Sequence, residues 1–218
     1  MDAPRKTPKS RPATLERRKD ILRAALDTFG AKGYNKAPLS EIAEQVNMTH
    51  AGILHHFGSK DQLLLEVLRY RDESDVEDLE GHHIPTGLPL FRHLVKTAFQ
   101  NAERAGIVQA YAVLSAESVT DEHPAKAFFE IRYKELRREV GEAFEVACAE
   151  QGLDLDEARI RRASASVLAV MDGLQVQWLL EPGDVDLGET SAFAIEAIVA
   201  SVLTPQANPL AVEPAPSE

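Results

Sequence analysis

One cysteine, Cys148, stands among 218 residues, so the chain cannot close an internal disulfide. A lone thiol on a helical stretch reads as a small buried hydrophobe, and a reducing cytoplasm suits it. No run of 18 or more apolar residues occurs, so no segment is expected to span a membrane. The N-terminus is basic but no apolar h-region follows it, so no secretory signal is expected. Sustained period-two alternation between hairpin turns is missing, which argues against a β fold. Internal repeats are missing as well. The sequence contains no H-E-x-x-H, P-loop, G-x-G-x-x-G, G-x-S-x-G or paired Cys-x-x-Cys, which removes the common signatures of an enzyme. Among the seven histidines, His82-His83 beside Glu77, Asp78 and Glu80 suggest a metal only weakly; solvated loop histidines fit better, and no metal or cofactor is expected.

What is present begins with charge. The net charge is −11, which alone argues against a nucleic-acid partner. Its distribution reverses that. Residues 1–60 carry 11 Lys and Arg against 6 Asp and Glu, while the remainder carries 13 against 29. A basic head on an acidic body suits a small DNA-reading unit joined to a body that DNA should not touch. An ordinary acidic protein with a basic tail fits the charges equally well.

The pattern between the tails is helical, and an all-α fold of nine helices is expected. Residues 1–13 mix Arg5, Lys6, Lys9 and Arg11 with Pro4, Pro8 and Pro12, and 204–218 hold Pro205, Pro209, Pro214 and Pro216; both read as disordered. A first helix is expected over 14–32, capped by Thr14 and stopped by Gly33. A second starts at Pro38, a third runs from Thr49 to His56, and a fourth follows the capping box Ser59-Lys60-Asp61-Gln62. Gly81 and Pro85–Pro89 break the chain. Helices over 90–105, 107–119, 124–151, 155–181 and 188–203 follow, the last two announced by Asp154 with Glu157 and Asp186 with Glu189.

Residues 38–57 have the spacing of a helix-turn-helix, within a reading domain of 14–60 that precedes a body of 61–203. Ile42, Ala43 and Val46 on the first helix face Ile53 and Phe57 on the second, and Asn47 sits in the turn, where Asn tolerates the left-handed conformation. That leaves Thr49, His50, Ala51, Leu54 and His55 to face a groove. His50 can donate to a base acceptor or phosphate, Ala51 and Leu54 can touch thymine methyls, and Lys60 can reach a phosphate beside a helix N-terminus. Arg17, Arg18 and Lys19 add backbone contacts. Two ordinary core helices, or a helical interaction module, would share the spacing.

At this point the stretch ILRAALDTFGAKGYNKAPLSEIAEQVNMTHAGILHHFGSKDQLLLEVL resembles the DNA-binding domain of the TetR family of bacterial repressors. The shared features are Phe29, Gly33-Tyr34, Ile42-Ala43, His56-Phe57 and Ser59-Lys60. Residues 121–181 resemble the family more loosely, through His123-Pro124 and through Asp172-Gly173-Leu174 with Gln177-Trp178-Leu179. The resemblance implies a three-helix DNA-binding domain, a helical ligand-binding and dimerisation domain, and repression of a palindromic operator relieved by a small molecule. Three positions depart from it: Ala37 where Thr or Ser is frequent, Asn47 for Gly, and Leu54 for Tyr.

In the body, an apolar pocket between bundle helices is the expected effector site. Phe99, Tyr111, Tyr133, Met171, Gln175 and Trp178 are its candidate lining, with core packing as the plainer role of each. By the family likeness the last two long helices pair with those of a second copy in a homodimer. Val167, Val170 and Leu174 on one and Phe193, Ile195, Ile198, Val199 and Val202 on the other are the candidate interface, though packing within the chain would use the same stripe.

Overall fold

The computed structural model describes residues 11–76, 84–154 and 156–204. They form nine helices and no strand: α1 Arg11–Lys36, α2 Leu39–Gln45, α3 His50–Phe57, α4 Lys60–Val76, α5 Leu88–Ala102, α6 Ala105–Glu117, α7 Lys126–Glu150, α8 Glu157–Leu180 and α9 Leu187–Leu203. The segments expected to be disordered lie outside the described residues, apart from 11–13 and Thr204. So does His82-His83.

Local signals set most boundaries, with three corrections. Helix α2 starts at Leu39, and Pro38 is its extended cap and not its first residue. Helix α1 starts at Arg11, so Thr14 lies inside it and is not its cap. The last regular turn of α1 is broken at Gly33, whose φ of 72° and ψ of 169° suit glycine. Helix α8 is capped by Asp156, which accepts from the Arg159 N–H at 2.9 Å, and not by Asp154. The other caps fall where the sequence puts them. Thr49 accepts from Gly52, Ser59 from Gln62 and Asp186 from Glu189. Asn47 is left-handed, with φ 52°.

The interior has two main parts. Ile21, Ala25 and Phe29 of α1, Ile42 and Ala43 of α2, and Ile53 and Phe57 of α3 share one core with Leu63, Leu64, Val67 and Leu68 of α4. That core therefore extends beyond Lys60 into the first half of α4. It is continuous with Ala110, Tyr111 and Leu114 of α6, because Gly30 lets α1 approach α6 closely; a Cβ there would lie 3.1 Å from Ala110. The second core joins α5, α7, α8 and α9 through Phe91, Val140, Phe144, Val167, Ile195 and Val202, with Cys148 buried among them. A small third cluster gathers Val108, Trp178 and Leu187. By length and composition α8 alone among the described helices is long and apolar enough to cross a membrane, and a third of its apolar stretch is buried inside the protein.

Candidate functional site

The reader is held from behind by arginines. Arg17 donates to the Val46 carbonyl at the end of α2 (3.3 Å). Arg18 donates to the His56 carbonyl at the end of α3 (3.2 Å), pairs with Glu66 at 2.9 Å and stacks over the Phe57 ring. These carbonyls are the unsatisfied acceptors at helix ends, so the two guanidiniums fasten α2 and α3 to α1 and α4. Arg18 is thus engaged within the fold, in addition to the phosphate contact expected from the sequence. Thr49, His50, Ala51 and His55 are exposed along α3, and Leu54 is half-buried. Thr49 Oγ accepts from Gly52, which leaves its own O–H free to donate. Burial and the nearby cationic groups lower the pKa of His56, which favours its neutral form. Ala37 is fully buried and offers no oxygen at the start of α2, where Pro38 caps without a side-chain bond. Lys19 and Lys36 are exposed and have no ion-pair partner among the described residues. Lys36, beside the start of α2, was missed because no motif marks it.

A seam joins the reader to the body. The Tyr34 N–H donates to Glu117 Oε2 of α6 at 2.7 Å, and the Tyr34 hydroxyl bonds Asp61. Lys60 Nζ sits 4.5 Å over the Tyr34 ring, and desolvation lowers its pKa. His123 packs edge-on against Tyr34, with the two rings 5.3 Å apart. Its Nδ1 accepts from the Ala125 N–H at 3.2 Å, and Ser118 Oγ is 3.0 Å away.

Behind the seam lies a cavity of about 350 Å³, walled by α4, α5, α6, α7 and α8. Tyr111, Tyr133, Met171 and Gln175 line it as expected. Phe99 and Trp178 do not. The Phe99 ring, 43% exposed, is pressed on Gly188 and ties α5 to α9, while Trp178 fills the third core cluster. The apolar wall is made by Leu90, Leu94, Leu136, Val140, Leu168 and Met171. Charges are answered nearby. Arg132 pairs with Asp72 at 2.8 Å and Arg71 with the same carboxylate at 3.3 Å, the Arg71 guanidinium stacking 4.3 Å over Tyr111. Tyr133 donates to Asp172 at 2.6 Å. Burial raises the pKa of Asp172, against the pull of that bond and of both arginines. Sequence reasoning missed Arg71, Asp72, Thr97, Asn101, Arg132 and Asp172. A signal was present: Thr97 and Asn101 continue the stripe Leu90, Leu94 at four- and three-residue steps, as Gln175 continues Leu168, Met171. Polar residues on a core-facing stripe mark a cavity.

The candidate interface residues divide by exposure. Val167, Ile195 and Val202 are buried in the chain's own second core and offer a partner no surface. Val170, Leu174, Ile198 and Val199 are half-buried. Phe193 is 75% exposed, and with it Leu180 (81%) and Val176 (46%). Between them run the exposed small residues Ala165, Ala169 and Gly173 of α8 and Ala197 and Ala200 of α9.

Residues 21–67 match the model of the bacterial regulatory proteins of the tetR family, and residues 90–203, over half of the chain, match that of the BetI-type transcriptional repressor C-terminal domain. The transcriptional regulator BetI of Agrobacterium fabrum is 45% identical over 53 residues, 24% of this chain and 26% of that protein. The matched stretch is thus about a quarter of the curated relative's length. Among solved structures, a transcriptional regulator from Saccharomonospora viridis in complex with choline has a TM-score of 0.67 at 21% identity, covering 84% of this chain and 96% of its own. NalD, the secondary repressor of the MexAB-OprM multidrug efflux pump in Pseudomonas aeruginosa, has a TM-score of 0.61 at 20% identity, covering 85% and 95%. At such identities these two structures establish the fold alone.

Proposed function

The chain belongs to the TetR family of bacterial regulatory proteins, and from that premise we propose that it is a homodimeric transcriptional repressor, released from a palindromic operator when a small molecule enters the cavity. The span of α4 carries this reading. Its first residue, Lys60, stands at the reader, and Arg71, Asp72 and Glu73, about three turns on, form one wall of the cavity. A ligand that requires another tilt of α4 moves the reader with it. Turning a 99:1 population into 1:99 takes about 5.5 kcal/mol of preference for the released state.

In this reading Thr49, His50, Ala51, Leu54 and His55 meet the major groove, while Lys19, Lys36 and Lys60 meet phosphates and set register. The stripe of Val176, Leu180 and Phe193 with its alanines and Gly173 is the dimer face, since small residues let α8 and α9 approach their mates closely. A two-fold pair of readers matches half-sites ~34 Å apart or a multiple of it. The choline complex of a structural neighbour supports a small organic effector here without naming one. In this reading the protein works in the cytoplasm, beside the DNA it binds.

The test is selection of bound sequences from random duplex DNA. A palindromic motif is expected, with affinity falling steeply in salt. His50→Ala should relax one position of each half-site. Leu180→Asp with Phe193→Asp should give a monomer in sedimentation and weaken operator binding. Absence of any selected motif sinks the reading of DNA recognition, and a monomeric parent protein sinks the dimer.

A further inference from the structure

The cavity's own chemistry narrows what can occupy it, and this step rests on the effector reading above. Three polar side chains on its wall are at least nine-tenths buried: Thr97 and Asn101, one turn apart on α5, and Gln175 on α8. Thr97 Oγ1 and Asn101 Nδ2 make no hydrogen bond among the described residues. A buried amide or hydroxyl without a partner is costly, so in the empty cavity water must satisfy these groups, and an occupant that displaces the water must replace its bonds. All three are uncharged. The formal charges at the floor are already answered inside the chain: two arginines, Arg71 and Arg132, stand against two carboxylates, Asp72 and Asp172. The carboxylates of Glu73 and Glu135 sit at the exposed rim, where solvent screens them, and that of Glu139 leans on Arg138 at 3.6 Å.

We propose that the cavity takes an uncharged organic ligand with an apolar body and a head group that both accepts and donates hydrogen bonds, such as an amide or lactam. Thr97, Asn101 and Gln175 receive the head, and the Leu90, Leu136 and Leu168 side of the wall receives the body. A charged ligand gains little, because an anion meets Asp72 and Asp172 beside the arginines and a cation meets Arg71 and Arg132 beside the carboxylates, so neither finds an unopposed counter-charge. The volume, about 350 Å³, lies at the lower end of the usual range for such sites, which holds the ligand to a compact one.

Three probes of one size separate the head-group classes: 4-phenylbutanamide, 4-phenylbutanoate and 4-phenylbutylammonium. Each is titrated calorimetrically into the full chain at neutral pH. The amide is expected to bind about tenfold more tightly than either charged analogue. Gln175→Leu and Thr97→Val, both close in shape to the parent side chains, should each weaken the amide about five- to tenfold while the parent's melting temperature is retained. Tightest binding by the ammonium or the carboxylate, binding of the amide that ignores both substitutions, or no heat from any of the three overturns the proposal. Operator release is read separately, by DNA titration in saturating amide. An amide that binds as described but leaves operator affinity unchanged counts against the effector reading and leaves the head-group assignment standing.

Discussion

The reader and the cavity wall are both made of helices packed at similar spacing, but their interiors differ in kind. Around α3 the inward face is apolar: Ile42, Ala43 and Ile53 are at most 1% exposed, and the buried Thr28 of α1 nearby is satisfied by the Ala24 carbonyl and by Gln45. Around the cavity the inward faces of α5, α7 and α8 carry Thr97, Asn101, Arg132, Tyr133, Asp172 and Gln175. The first arrangement maximises rigidity, since a recognition helix must keep its angle to the groove. The second gives up packing for a space that something else completes. The sharpest way to break this contrast is to truncate one side chain in each. Ile53→Ala leaves a hole in a closed core and should cost about 3–4 kcal/mol. Met171→Ala, half-buried on the cavity wall, merely enlarges an existing space and should cost about 1 kcal/mol. Urea unfolding of both variants checks this, and equal costs would mean that the cavity is packed shut in solution.

The next largest effect falls where the two regions meet. Gly33 has a φ of 72°, and a Cβ there would run into the Glu117 carboxylate that accepts from Tyr34. Gly33→Ala combines a left-handed strain with displacement of Glu117, a loss of about 2 kcal/mol. If the seam transmits ligand binding to the reader, the variant also shifts operator affinity at temperatures where it remains folded. A thermal melt and an operator titration separate the two consequences.

A smaller effect tests a helix start in the body. Asp156→Ala should lose about 1 kcal/mol, since Asp156 caps α8, whereas Asp154→Ala should change stability little. Thermal melts of the two variants decide the register. This pair also shows how far sequence reading reached. An acidic residue followed by Glu three positions on is a local signal, and it located Asp186 correctly, but near α8 it pointed to Asp154, with Glu157, while the cap is Asp156, whose third residue on is Arg159. The reader was legible for the same local reason: its turn, caps and inward face lie within twenty consecutive positions. The cavity was not, because its wall gathers single residues from helices far apart in sequence, and Tyr111 and Gln175 were reached only through their residue types. Trp178 and Phe99 misled for that reason. Large aromatics fill cores and seal helix pairs as readily as they line cavities. The roles of Arg17 and Arg18 were hidden as well, since a basic residue near a reader looks the same whether it faces phosphate or a helix C-terminus.

The finest test concerns the one buried histidine at the seam. His123 Nδ1 accepts from the Ala125 N–H, and its Nε2 has no hydrogen-bond partner among the described residues, with Glu117 Oε2 3.9 Å away. Burial pushes its pKa below the ordinary 6.5, while Glu117 and Asp61 pull the other way and lose. The unfolded chain therefore takes up this proton at a higher pH than the folded one. Above pH 6.5 both states carry a neutral ring and the group contributes no slope. As pH falls through that value the unfolded state binds the extra proton and stability declines, until the folded ring also protonates and the decline stops. His56, lowered by burial and by neighbouring positive charge, adds a slope of the same sign in the reader. His123→Gln should therefore remove only part of the acid-side loss of melting temperature and leave a remainder that His56→Gln removes. If His123→Gln leaves the whole slope intact, the seam around Tyr34 and Glu117 is wet in solution, and the contrast between a closed reader and an open body shifts toward the reader.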